Sequence, residues 1–195
     1  MKKIIVLSLA LALSVSAYAD LDDWIAASIP TFSATNVADG IYDIGELDGD
    51  ITYEFIVNSN PDEEMASMAL MGRRNFGDTA QGIKYEQWNN TGTYGATLFG
   101  VVDLDFGVPT APGEDTHLAF VAAGGETALY VNGEYQASVA EQILLSGKVG
   151  IGYVADAEDG SVSFDDFDGD IIGVAVYNSA LCDCEIKAHS DAYFV

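Results

Sequence analysis

The sequence predicts an all-β protein, a two-sheet antiparallel jelly-roll sandwich with one short helix near the C-terminus. Three observations carry that expectation. Short runs of β-branched and aromatic residues recur along the chain, punctuated by glycine, asparagine and aspartate. Asn132-Gly133 stands between two such runs and supplies the positive-φ pair that a two-residue hairpin turn requires. No segment between residues 31 and 180 sustains an apolar period of 3.6, so helices are few and short. So many strands, in a chain longer than a minimal immunoglobulin-type sandwich, point to two packed sheets or a jelly roll.

Taken in order, residues 1–19 carry Lys2 and Lys3, an apolar run from Ile4 to about Val15, and Ala17-Tyr18-Ala19. This is the pattern of a secretory leader cut after Ala19. The run is shorter than the roughly 18 residues a membrane span requires, and Asp20 rather than a lipid-bearing cysteine would follow the cut. A secreted or periplasmic protein is expected, with residues 20–195 forming one domain and no membrane insertion after cleavage. Asp22–Ala27 has the pattern of one helical turn. In the next run, Ile51, Tyr53, Phe55 and Val57 fall on one face with Thr52 and Glu54 on the other, a half-buried strand. Further strands are expected at 66–71, 82–88, 94–102, 117–122, 127–132, 148–154 and 170–177. Near the C-terminus, Cys182-Asp183-Cys184-Glu185 puts Glu185 three residues after a capping position and Ile186 behind it, a helix start.

Composition excludes several partners. The chain has 31 acidic residues against 7 Lys+Arg, for a formal charge of −24. Outside the leader the cations are Arg73, Arg74, Lys84, Lys148 and Lys187. Nucleic-acid binding needs clustered cations to release counterions, and anionic lipid needs a polybasic segment; neither is present. Cys182 and Cys184 lie in a compartment that permits disulfides. Side chains two residues apart sit near the upper limit of bridge geometry on a strand and diverge on a helix, so the spacing predicts no mutual bridge and leaves an intermolecular one open. The pair lacks the partners of a zinc site and the spacing of a C-x-x-C redox motif.

Two stretches carry a family likeness. Residues 117–133 run from His117-Leu118-Ala119-Phe120 to Leu129-Tyr130-Val131-Asn132-Gly133, and residues 167–186 run from Phe167-Asp168-Gly169-Asp170-Ile171 through Val176-Tyr177-Asn178-Ser179-Ala180-Leu181 to Glu185-Ile186. Together they resemble the signature of the laminin G-like domains of the concanavalin A-like lectin/glucanase superfamily. Lys84-Tyr85-Glu86-Gln87-Trp88-Asn89-Asn90-Thr91-Gly92 is similar to secreted bacterial members. The resemblance implies a jelly-roll sandwich that binds rather than catalyses. Ile172 and Gly173 stand where such domains commonly carry an acidic pair, and Cys182 stands where they cap with serine.

The candidate sites follow from residue chemistry. Retaining glucanases need two carboxyl groups about 5 to 5.5 Å apart, which members of this superfamily supply from E-x-D-x-x-E; neither Glu54 nor Glu86 has an acid two residues on. His117, at a strand start, and His189, in the tail region, lack a nucleophile motif beside them, and no enzymatic activity is expected. Asp165, Asp166, Asp168 and Asp170 form the densest acid cluster, an oxygen-rich loop of the kind that holds calcium. Gln87, Trp88, Asn89, Asn90 and Tyr94 combine aromatic rings with amides, the composition of a sugar platform. In the competing reading Tyr85 and Gln87 share one strand face, Trp88 lies on the other, and one of those faces is core. The expected function is binding of a carbohydrate or another extracellular surface ligand. The alternative is a structural surface protein that associates with itself.

Overall fold

The computed structural model describes residues 29–61 and 66–194. The leader expected at 1–19 and the turn expected at 22–27 lie outside the described residues. In chain order the strands are β1 (Phe32–Val37), β2 (Gly40–Asp43), β3 (Ile51–Ser59), β4 (Met68–Arg73), β5 (Gln81–Glu86), β6 (Thr93–Leu98), β7 (Val102–Pro109), β8 (Thr116–Ala123), β9 (Glu126–Val131), β10 (Glu134–Val139), β11 (Lys148–Ile151), β12 (Val154–Ala155), β13 (Ser163–Phe164) and β14 (Gly169–Tyr177), followed by helix α1 (Asp183–Tyr193). One sheet has the order β1-β14-β3-β8-β9-β10, and its neighbours are all antiparallel. The other runs β7-β6-β5-β4 and continues past β4 to β11 with β2, and to β12 with β13. The short β12–β4 pairing is parallel. Among the described residues no helix is long and apolar enough to cross a membrane.

Two-residue alternation explains the core. Tyr53, Phe55 and Val57 of β3, Ile83 and Tyr85 of β5, Tyr94 and Ala96 of β6, and Leu118 and Phe120 of β8 meet between the sheets. Phe120 is the hub there, packing edge-on against Phe55 at 6.2 Å and Phe106 at 5.8 Å between ring centres. The hairpin at Asn132-Gly133 forms as the sequence predicts, with φ of 50° and 79° and Val131 opposite Glu134.

The structure corrects four expectations, one being the strand expected at 148–154, which is β11 and β12, parted at Gly152-Tyr153 where Gly152 takes φ 81°. β3 is buried on both faces, because α1 and Leu181 cover the face that carries Thr52, Glu54 and Ile56. The strand expected at 94–102 is two strands, broken at Phe99-Gly100-Val101, where Gly100 takes φ 77° and Val101 N–H bonds back to the Leu98 carbonyl at 2.9 Å. Cys182 and Cys184 are bonded to each other, with Cα atoms 5.3 Å apart. Neither strand nor helix geometry applies to them. Cys182 is the extended N-cap and Cys184 already lies in the helix, and the change of chain direction brings the sulfurs together. The capping box itself is as expected: Cys182 Sγ accepts from Glu185 N–H, and the Glu185 carboxylate accepts from Cys182 N–H at 2.9 Å.

Candidate ligand-binding cleft

The cleft lies on the outer face of the β4–β7 sheet. Ile83, Tyr85, Tyr94, Ala96 and Phe106 face the core, so alternation sends Lys84, Thr97 and Asp103 outward. Pairing then sets these three side by side, since Thr97 is opposite Asp103 and Lys84 is opposite Gly95. Ser67 and Asp165 complete a polar floor, while Trp88, Phe99 and Phe164 supply aromatic walls, with Arg74 at the rim. The cleft volume is about 260 Å³, just below the range usual for small-ligand sites.

The polar groups of the floor bond to one another. Thr97 Oγ1 donates to Asp103 Oδ1 at 2.9 Å. Lys84 Nζ donates to Ser67 Oγ at 3.2 Å and to the Asp165 carboxylate, and lies 5.5 Å from the Phe99 ring centre. Lys84 is 1% exposed, and burial pulls its ammonium below the ordinary lysine range, against the opposing pull of Asp165 and Asp103. Arg74 grips Asp156 with two nitrogens, at 2.8 and 3.1 Å, and its guanidinium sits 4.6 Å above the Phe164 ring. Phe164 meets Phe99 edge-on at 5.5 Å, so the aromatic wall is braced from both sides.

Of the sequence-predicted binding residues, Trp88 lines the cleft and is 52% exposed, so it lies outside the core. Asn89 and Asn90 shape the turn that carries it. Both adopt left-handed backbone, with φ of 76° and 54°, a conformation asparagine tolerates better than most residues. Gln87 and Tyr94 are corrections. Tyr94 is fully buried and packs edge-on against Tyr85 at 5.3 Å, because the β6 alternation directs it into the sandwich. Gln87 follows the end of β5 and is 2% exposed. Its amide donates to the carbonyls of Ala96, at 3.0 Å, and Leu104, and its Oε1 accepts from Trp88 N–H at 2.7 Å. It therefore fastens β6 and β7 under the Trp88 turn and leaves no polar atom for a ligand. Glu86 closes the same turn, accepting from Gly92 N–H at 2.7 Å, and burial raises its carboxyl above the usual range.

The expected calcium ligands are dispersed. Asp165 faces the cleft and binds Lys84; Asp166 lies near Asp39 and Tyr153; Asp168 accepts from Asn60 at 3.4 Å; Asp170 lines a separate groove with Asn36 and Val37. Among the described residues no group of three or more His, Cys, Asp or Glu side chains is placed to hold a metal ion. Asp165 takes left-handed backbone, φ 56°, just after β13, and Asp170 already lies in β14, so the four residues do not share one turn.

A second polar cluster lies under α1. Glu54 accepts from His189 Nδ1, at 2.9 and 3.1 Å to its two oxygens, and His117 Nε2 is 3.5 Å away. The Tyr177 ring stacks on His189 at 5.8 Å. Burial alone would raise the Glu54 carboxyl, but hydrogen bonds and charge from the two histidines outweigh it and hold the group below the usual range. All three residues are sealed beneath the helix, out of reach of any substrate.

Residues 34–187 match the family described as the concanavalin A-like lectin/glucanases superfamily. No curated protein matches the chain. Among solved structures it is similar to the CBM40 of Ruminococcus gnavus IT-sialidase bound to α2,3-sialyllactose (19% identity, TM-score 0.61, covering 83% of this chain and 99% of that one). It is similar also to the NanB sialidase of Streptococcus pneumoniae (17% identity, TM-score 0.59, 82% of this chain and 28% of that one). A third is domain 4 of AbnA, an extracellular GH43 arabinanase of Geobacillus stearothermophilus, in complex with arabinotriose (15% identity, TM-score 0.55, 79% of this chain and 70% of that one). At these identities the likeness is one of fold.

Proposed function

The chain belongs to the concanavalin A-like lectin/glucanases superfamily, and from that premise we propose that it is an exported, non-catalytic carbohydrate-binding module whose ligand occupies the cleft walled by Trp88, Phe99 and Phe164. The observation that carries the reading is three aromatic side chains set around a polar floor of Lys84, Thr97 and Asp103. A sugar ring has an apolar face that stacks on aromatic surface and a rim of hydroxyls that need donors and acceptors. The carbohydrate ligands in the titles of the R. gnavus and G. stearothermophilus structures support the same class. Catalysis is disfavoured because Asp165, one of the two carboxylates on the floor, is tied to Lys84, while a glycosidase needs two carboxyl groups at work on one bond.

The test is a glycan array probed with residues 20–195 and with Trp88→Ala and Phe164→Ala. Each substitution is expected to weaken binding about tenfold or more, about 1.4 kcal/mol, while Tyr135→Ala, exposed on the other sheet, leaves it unchanged. Wild-type binding that both cleft variants retain would refute the assignment. Export belongs to the same proposal, and N-terminal sequencing of the mature protein should begin at Asp20.

A further inference from the structure

We infer that the cleft selects neutral glycans and discriminates against sugars bearing a carboxylate or sulfate, an inference that rests on the carbohydrate reading above. The charges of the cleft decide it. Of the two cations there, Lys84 is neutralised by Asp165 and is 1% exposed, its ammonium turned onto Asp165 and Ser67. Arg74 spends two nitrogens on Asp156, and its flat face is stacked on Phe164. An acidic sugar is held through charge-assisted bonds to a cation, best as a two-pronged pair with arginine. Here Lys84 is released only by expelling Asp165, and the Nε–Nη2 edge of Arg74 is already held by Asp156, so an acidic sugar is left the other edge of a guanidinium whose charge is offset.

Asp103 adds a second negative charge: its hydrogen-bond partner is the neutral Thr97 hydroxyl, and among the described residues the cation acting on it, Lys84, does so through the field and not through an ion pair. Glu86 and Asp105 extend the same sign along the strands beyond it. The whole chain carries a formal charge of −24. An anion entering the cleft meets repulsion from the floor and from the long-range field together. A neutral hydroxyl meets the opposite situation, because the Asp103 carboxylate keeps acceptor capacity beyond its bond to Thr97.

The experiment uses matched oligosaccharides that differ in acidic groups: lactose and sialyllactose, galactan and galacturonan fragments, and xylo-oligosaccharides with and without glucuronic acid. Binding is read by calorimetry on the wild type and on Asp103→Asn. Neutral members should bind at least tenfold more tightly than their acidic counterparts. Raising salt should narrow that gap by strengthening acidic binding, and Asp103→Asn should narrow it further. Acidic members that bind as well as or better than neutral ones, in a manner lost with Trp88→Ala, overturn the inference and leave the carbohydrate reading standing. No Trp88-dependent binding of any member overturns both.

Discussion

Replacing Glu54 by glutamine tests how the helix is held to the sandwich. The carboxylate offers two oxygens to His189 and a third contact to His117, and all three side chains are at most 1% exposed. An amide offers one acceptor oxygen and no charge. Removing one member of a buried charged set typically costs about 3 to 5 kcal/mol. At about 2 to 4 °C per kcal/mol for a domain of this size, the melting temperature at neutral pH should fall by about 6 to 20 °C. The pH dependence gives a sharper criterion. The folded protein holds the Glu54 carboxyl below its usual range, so its contribution is fully present above the unfolded value of about 4.3 and disappears as pH falls through the lower, folded value. Protonated Glu54 is then as neutral as glutamine. Urea unfolding of both proteins from pH 7 to pH 3 should show a gap that closes with acid. A gap that stays constant or widens, or a neutral-pH difference under about 1 kcal/mol, would show that the cluster does not anchor α1.

Three further outcomes are expected. A Cβ at Gly95 would lie 2.7 Å from the Leu104 carbonyl and collide with the Gln87 amide, so Gly95→Ala should cost about 1 to 3 kcal/mol as an overpacked site, read by urea midpoint; a neutral result would remove Gln87 as the fastener of β6 and β7. The unfolded, unreduced protein should show no free thiol, and Cys182→Ser with Cys184→Ser should lose only about 1.6 kcal/mol by loop closure over so short a ring, partly offset by the better serine cap; titratable thiols without reductant would contradict the bridge. Millimolar calcium should leave the melting temperature unchanged, because Asp165, Asp166, Asp168 and Asp170 do not converge; a shift near the ~2.7 kcal/mol expected at 100 times a dissociation constant would reveal a site the described residues do not show.

Where local rules and tertiary packing agree, the sequence is a good guide. The Asn132-Gly133 hairpin and the helix start at Cys182 depend on a few consecutive residues, and both form as read. Where long-range packing intervenes, local reading misleads. Thr52 and Glu54 look like the wet face of a half-buried strand until α1, more than a hundred residues later, closes over them. β7 has a clean two-residue alternation, Val102, Leu104, Phe106 and Val108 against Asp103, Asp105 and Gly107, which an expected strand running from 94 to 102 obscures by crossing the turn at Gly100.

The cleft was legible only through Trp88, and the cause is topological. Its floor is assembled by register across β5, β6 and β7, and its walls come from the Trp88 turn, the β6–β7 turn and β13, so no single window of sequence contains it. One cue was available. In a chain with so few cations, Arg74 and Lys84 each lie within a strand-rich stretch, and Lys84 sits between Ile83 and Tyr85, on the face opposite two core residues. A lysine there either reaches solvent or is buried against an acid. Burial would not be stable without a partner, and Asp165 from the acidic segment is that partner. What composition presents as a cluster of metal-binding acids is thereby divided: one carboxylate neutralises a buried lysine in the cleft floor, and the others return to unrelated edges of the sandwich. The pairing that removes Asp165 from the acidic cluster is the same one that turns Lys84 away from an anionic sugar, so the dispersal of these acids and the proposed preference for neutral glycans rest on a single contact.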